Sequence, residues 1–182
     1  MLEHKFHRPE RGLVMTETAQ GGRGIEGYAS VFGLRDQGGD VVARGAYAAS
    51  LARLAARAGR VKMLWQHDPA QPIGLWEEVR EDATGLWVKG RLLTEVERGR
   101  EAAALLEAGA IDGLSIGYRT LRAGRDGKGR RVLHELELWE VSLVTFPMLP
   151  EARVAGKSDD LPQALRELAG LFDEARRSLA GR

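Results

Sequence analysis

Ser115 stands between two glycines in Gly113-Leu114-Ser115-Ile116-Gly117, inside a segment otherwise suited to a strand. Glycine at those positions lets another chain segment approach closely and leaves a small hydroxyl accessible. A nucleophilic serine needs such access, together with a nearby N–H donor for the developing oxyanion. A bulged strand that happens to carry a small residue explains the same string, and on the pattern alone it is the commoner reason for it. The spacing is that of the nucleophile elbow of α/β hydrolases, but no helix pattern follows it, so the context is a strand running into a hairpin.

Four histidines are candidates for a base, because imidazole titrates near neutrality. His4 and His7 lie in a polar N-terminal segment where solvent exposure accounts for them. His67 closes the apolar run Val61 to Trp65 and precedes Asp68-Pro69, which places it at a strand end, where side chains often point into clefts. His134 lies in the returning arm of a hairpin and rivals it. For either, taken alone, an ordinary hydrogen-bonded histidine is the commoner explanation. A metal-assisted hydrolase using His67, Asp68 and His134 is a weaker reading, since the sequence has no His-Glu-x-x-His helix and no His and Cys cluster at ligand spacing.

Glu140 is the odd residue in Leu136-Glu137-Leu138-Trp139-Glu140-Val141-Ser142-Leu143-Val144. Strand alternation puts it on the face of Leu136, Leu138 and Val144. If that face is the core, the carboxylate requires a cation such as an imidazolium, because an unpaired buried charge costs several kcal/mol. If Trp139, Val141 and Leu143 pack inward instead, Glu140 lies at a solvated edge.

The elements that must position these residues follow from pattern. Gly24 to Phe32 predicts a strand, and the Asp36-Gln37-Gly38-Gly39-Asp40 cluster a loop. Tyr47 to Arg57 predicts a helix stopped by Gly59, and Val61 to Gln66 a short strand that delivers His67. Ile73 to Val79 and Leu86 to Leu92 should pair as a hairpin around Asp82-Ala83-Thr84-Gly85. Glu95 to Ala108 predicts a second helix with Gly109 just past its end. Ile111 to Val144 then reads as a long hairpin around Gly124-Arg125-Asp126-Gly127-Lys128-Gly129. With its centre near Gly127 and Lys128, opposed residue numbers sum to about 255, which sets Ser115 across from Glu140 to within a residue or two. Residues 155–160 look like a linker after a catalytic domain spanning 1–154. Over 161–182, Leu161, Leu165, Leu168, Phe172, Ala175 and Leu179 alternate spacings of four and three, the seam of an amphipathic C-terminal helix that either docks on its own domain or binds a partner.

Composition narrows the classes. The 182 residues suit one domain with a real core. Their 27 basic and 26 acidic side chains leave a formal charge of +1, which gives no field of the kind that draws a protein onto nucleic acid or an anionic membrane. With no cysteine there is no disulfide framework, thiolate nucleophile or cysteine-ligated zinc, consistent with a reducing compartment. The N-terminus lacks a signal-peptide pattern, and no stretch reaches the roughly 18 apolar residues of a membrane span.

Taken in order, Gly27-Tyr28-Ala29-Ser30-Val31-Phe32-Gly33, Gly39-Asp40-Val41-Val42, Leu64-Trp65-Gln66-His67-Asp68 with Pro72-Ile73-Gly74, Gly113-Leu114-Ser115-Ile116-Gly117-Tyr118 and Trp139-Glu140-Val141-Ser142-Leu143-Val144-Thr145-Phe146-Pro147 with Pro150-Glu151-Ala152 resemble the prohead proteases of tailed bacteriophages. These are distant relatives of the herpesvirus assembly proteases. The resemblance covers residues 24 to 154, and five ordered motifs are far more specific than any one. It implies His67 as the catalytic base, Ser115 as the nucleophile and Glu140 as the third member, at a position where the herpesvirus enzymes carry a second histidine. It demotes His134. It implies an α+β fold, a mostly antiparallel β-barrel surrounded by a few helices. The implied activity is that of a serine endopeptidase, without cofactor or metal, that cuts scaffold and capsid protein segments, and itself, inside the procapsid in the host cytoplasm. A homo-oligomer is among the states this allows. The competing reading is a non-catalytic capsid assembly or scaffolding module that keeps the barrel and recruits partners through its terminal helix.

Overall fold

The computed structural model of the chain describes residues 16–17 and 23–154. His4, His7, the linker expected at 155–160 and the helix expected at 161–182 lie outside the described residues. In chain order the elements are β1 (Thr16–Glu17), β2 (Arg23–Val31), β3 (Asp40–Val42), α1 (Ala48–Ala56), β4 (Lys62–Trp65), β5 (Asp68–Glu81), β6 (Gly85–Leu92), α2 (Glu97–Glu107), β7 (Gly113–Arg125) and β8 (Arg131–Val144). The strands and both helices expected within this span are therefore present, with bounds shifted by a few residues. Gly109 sits just beyond α2 with φ +68°, the left-handed conformation that ends a helix at little cost only in glycine.

The strands form one sheet in the order β1-β2-β6-β5-β4-β8-β3, with β7 paired to β8 off this path. β5 and β6 make the expected hairpin, as do β7 and β8. The expected mostly antiparallel barrel needs correction: the sheet is mixed and curls into a half-barrel in which β2 packs towards β7. β8 runs parallel to both β3 and β4. Hairpins are announced by their turn residues, whereas a parallel pair requires a long crossover that leaves no local mark.

Ile25, Met63, Ile73, Val88, Leu92 and Leu136 are among the residues of the buried cluster inside the curl, each contributing about 1.5–3 kcal/mol when fully buried. α1 closes over β8: the Leu138 N–H donates to Ser50 Oγ at 2.9 Å, and the Leu136 N–H donates to the Ala46 carbonyl. α2 buries Ala102, Ala103 and Leu106. On β8, Leu136 and Leu138 belong to the core, then Val141 and Leu143 do. This change of parity coincides with a bulge, because Tyr118 pairs with Leu138 but Gly117 pairs with Glu140, leaving Trp139 without a partner. Trp139 is 54% exposed. The extra residue turns Glu140 and Ser142 to the face opposite Val141 and Leu143.

Candidate active site

His67 occupies a two-residue turn between β4 and β5, where Trp65 pairs with Asp68. Gln66 and His67 both have positive φ, +52° and +63°. That conformation disfavours L-residues by roughly 1–2 kcal/mol each, so the surroundings must hold it. The Gln66 N–H donates to the Leu143 carbonyl at 2.9 Å, and its side-chain amide donates to Thr145 Oγ1 at 2.8 Å. The His67 N–H donates to Ser142 Oγ at 3.1 Å. The Thr145 N–H donates in return to Gln66 Oε1 at 3.3 Å, so four bonds tie the turn to the end of β8, and the imidazole projects over the face that carries Glu140 and Ser142.

The His67 Nδ1–H donates to Glu140 Oε1 at 2.6 Å. With the proton held on Nδ1, Nε2 keeps its lone pair and is the nitrogen able to accept a proton. The hydrogen bond to Glu140, helped by the carboxylate's charge, raises the imidazole pKa above its usual 6.5, while partial burial opposes the rise. The imidazole is 41% exposed, so protons can reach it. Glu140 is 8% exposed, and its second oxygen accepts a hydrogen bond from Ser142 Oγ at 2.6 Å. Its side chain lies across Gly117: a Cβ there would meet Oε1 and come within 2.7 Å of Cδ and 2.8 Å of Cγ. Glycine at 117 thus makes room for the carboxylate.

Ser115 pairs with Ser142 across β7 and β8, and Leu64 pairs with Ser142 from the opposite side. Laterally paired residues point to one face, so Ser115, Ser142 and Glu140 share the surface overhung by His67, within about two strand spacings, or ~10 Å. Ser115 is 3% exposed by residue, yet it lines a small concavity walled by Ala29, Val42, Ile116, Tyr118 and Met148 among others. Among the described residues no hydrogen bond engages its hydroxyl. The Leu114 N–H donates to the Ala152 carbonyl at 2.7 Å, away from β8. By strand alternation the backbone groups of Ile116 face that same edge, where the concavity opens.

Two expectations need adjustment. Glu140 faces Gly117 rather than Ser115, and Ser115 faces Ser142. The cause is a turn centred half a residue later than expected, on Lys128, together with unpaired residues at Leu121, His134 and Trp139. Their net effect raises the residue sum near the site to 257, as in 117 + 140 and 115 + 142. The second concerns the environment of Glu140, which is neither in the apolar core nor at a solvated edge. It is buried on the other face, against a histidine and a serine. His134 lies six residues up β8 from Glu140, roughly 20 Å along the strand. Asp68 accepts bonds from Gln71 and the Ala70 N–H, which hold its carboxyl below the usual range. His67, Asp68 and His134 are thus not brought together, and among the described residues no cluster of three His, Asp or Glu could hold a metal. Ser142 was passed over at the sequence level, although it stands two residues from Glu140, and period-2 alternation alone puts the pair on one face.

Residues 12–166 match the model of a family described as caudovirus prohead serine protease. The prohead protease of Enterobacteria phage HK97 is 32% identical over 161 residues, covering 83% of this chain and 68% of that protein. The bacteriophage T4 capsid assembly protease gp21 has a similar fold, with a TM-score of 0.60 at 16% identity over 75% of this chain and 92% of that one.

Proposed function

From the premise that the chain belongs to the caudovirus prohead serine protease family and is a serine peptidase, we propose that Ser115 is its nucleophile, His67 its general base and Glu140 the residue that orients the base. The observation that carries this reading is the 2.6 Å bond between His67 Nδ1 and Glu140 Oε1 on the face that also bears Ser115. His67 Nε2 takes the Ser115 proton as the oxygen attacks a substrate carbonyl. The tetrahedral adduct collapses to an acyl-enzyme, the imidazolium protonates the leaving amine, and water then releases the acyl group by the same steps in reverse. Glu140 holds the tautomer with Nε2 free and balances the imidazolium charge as it forms. The concavity beside Ser115, bounded by the open edge of β7, receives the substrate segment.

A relative is named prohead protease and a structural neighbour capsid assembly protease. The substrates proposed for this chain are accordingly capsid and scaffold protein segments, cut during procapsid maturation in the host cytoplasm. Co-expression with the capsid protein, followed by mass spectrometry of that protein's N-terminus, tests this. Ser115→Ala should abolish the new terminus, together with labelling by a fluorophosphonate. Cleavage that persists in this variant would remove Ser115 from the mechanism.

A further inference from the structure

Two serines lie side by side on the site face, as paired residues of β7 and β8. Their environments differ sharply. Ser142 is 0% exposed. A hydroxyl has one proton to donate, and that of Ser142 is committed to Glu140 Oε2 at 2.6 Å, while its oxygen accepts the His67 N–H at 3.1 Å. It has no proton left for His67 Nε2 and no route to a substrate. No hydrogen bond engages the Ser115 hydroxyl among the described residues, and the residue borders a concavity.

We propose that Ser142 is a positioning residue of the catalytic unit, its hydroxyl holding the Glu140 carboxylate and the His67 backbone in register with each other. The inference rests on the reading of Ser115, His67 and Glu140 given above. The bonds form a closed ring: His67 N–H to Ser142 Oγ, Ser142 O–H to Glu140 Oε2, and Glu140 Oε1 to His67 Nδ1–H. Each member is held by the other two. Glu140 on its own can rotate about its last side-chain bond, and a single hydrogen bond from imidazole would not stop it. The second bond, at the far oxygen, fixes the carboxylate plane. The left-handed turn at His67 is held in place partly by the same hydroxyl, which accepts the His67 N–H. One side chain thus sets both the orientation of the carboxylate and the place from which the imidazole projects.

The test is a pH profile of kcat and KM for Ser142→Ala, Ser142→Thr and Ser142→Cys on a capsid-derived peptide, with thermal melts of each. Removing an orienting carboxylate from a triad costs about 10⁴-fold, and Ser142 acts one step further out, so Ser142→Ala should lower kcat by about 10- to 100-fold with KM little changed. Without the ring, Glu140 no longer faces the imidazole squarely, and the acid limb of kcat/KM should move to lower pH even as the plateau falls. Loss of folded protein alone would lower the plateau and leave the limb in place. Ser142→Thr, which keeps the hydroxyl, should recover most of the rate. Ser142→Cys keeps the shape with a weak donor and should fall between the two, so it provides a reading if the alanine or threonine variant folds poorly. Wild-type kcat with an unmoved limb in either Ser142→Ala or Ser142→Cys overturns the inference. So does a lowered rate with an unmoved limb. If Ser115→Ala itself still cleaves, the underlying assignment fails instead, and the two failures are told apart by that variant alone.

Discussion

Gly117→Ala should disable the enzyme while barely disturbing the fold. The added Cβ would meet Glu140 Oε1 and lie 2.7 Å from Cδ and 2.8 Å from Cγ. Carbon atoms in contact settle at about 3.5–4.0 Å, so the carboxylate must retreat by roughly 1 Å. Its bond to His67 Nδ1 starts at 2.6 Å. A displacement of that size takes it to about 3.6 Å, where no hydrogen bond remains. Loss of an orienting carboxylate costs about 10⁴-fold in triads where it has been removed, so kcat/KM should fall by roughly 10²- to 10⁴-fold. Stability should change little, because alanine gains about 0.5–1 kcal/mol over glycine in a strand and the clash falls on one movable side chain. The assay is peptide cleavage by the wild type, Gly117→Ala, Glu140→Asp and the double variant. The shorter aspartate withdraws from both the new methyl and the imidazole, so the double variant should be no slower than Glu140→Asp alone, a strongly non-additive cycle. Wild-type kcat/KM in Gly117→Ala, or strict additivity in the cycle, would refute the claim that residue 117 gives Glu140 its seat.

Other outcomes follow from the same geometry. The bond to Glu140 and then its charge raise the His67 pKa, and a base works in its neutral form. The acid limb of kcat/KM should therefore fall at a pH above 6.5, and Glu140→Gln should shift it downward while lowering the plateau; a limb that stays in place would detach Glu140 from the base. His67→Ala should cost on the order of 10⁴- to 10⁶-fold, more than Glu140→Gln, since an amide still orients a ring but cannot balance an imidazolium. Equal residual rates would give Glu140 another role. His134→Ala, on the far arm of the hairpin, should leave the peptide-cleavage rate unchanged, and a large loss would revive it as the base. Leu138→Ala, in the buried cluster under α1, should destabilise the fold by about 2–5 kcal/mol in urea unfolding, and a loss well below 1 kcal/mol would show that the bulged region repacks.

What could be read without the fold, and what could not, divides by the range of the interaction. Turn chemistry is local, so the β5–β6 and β7–β8 hairpins were legible from Asp82-Ala83-Thr84-Gly85 and from the glycines around Lys128. The hairpin brought Ser115 and Glu140 into one neighbourhood to within two residues. The remaining error came from the bulges, and a bulge is set by what packs beside the strand. At Trp139 the ring is outside, while Leu138 and Val141 on either side both face inward. Trp76 reaches across the core, and its indole N–H donates to the Val141 carbonyl at 3.1 Å. Those constraints come from α1 and β5, neither adjacent to β8 in the chain. The parallel pairing of β4 with β8, which carries His67 to the site, is likewise non-local and left no pattern. The bulge is also what permits the chemistry. Were Trp139 paired in regular alternation, Glu140 would stay on the face of Leu136 and Leu138, a charge inside an apolar core with no histidine in reach. The turn of the strand at Trp139 places the carboxylate where a serine, a histidine and a bare glycine await it. Deleting Trp139 should therefore remove the bulge and leave regular alternation, with Leu138 inward, Glu140 outward and Val141 inward as they are now. Peptide cleavage should then largely survive, and its abolition would show that the bulge does more than set the face of Glu140.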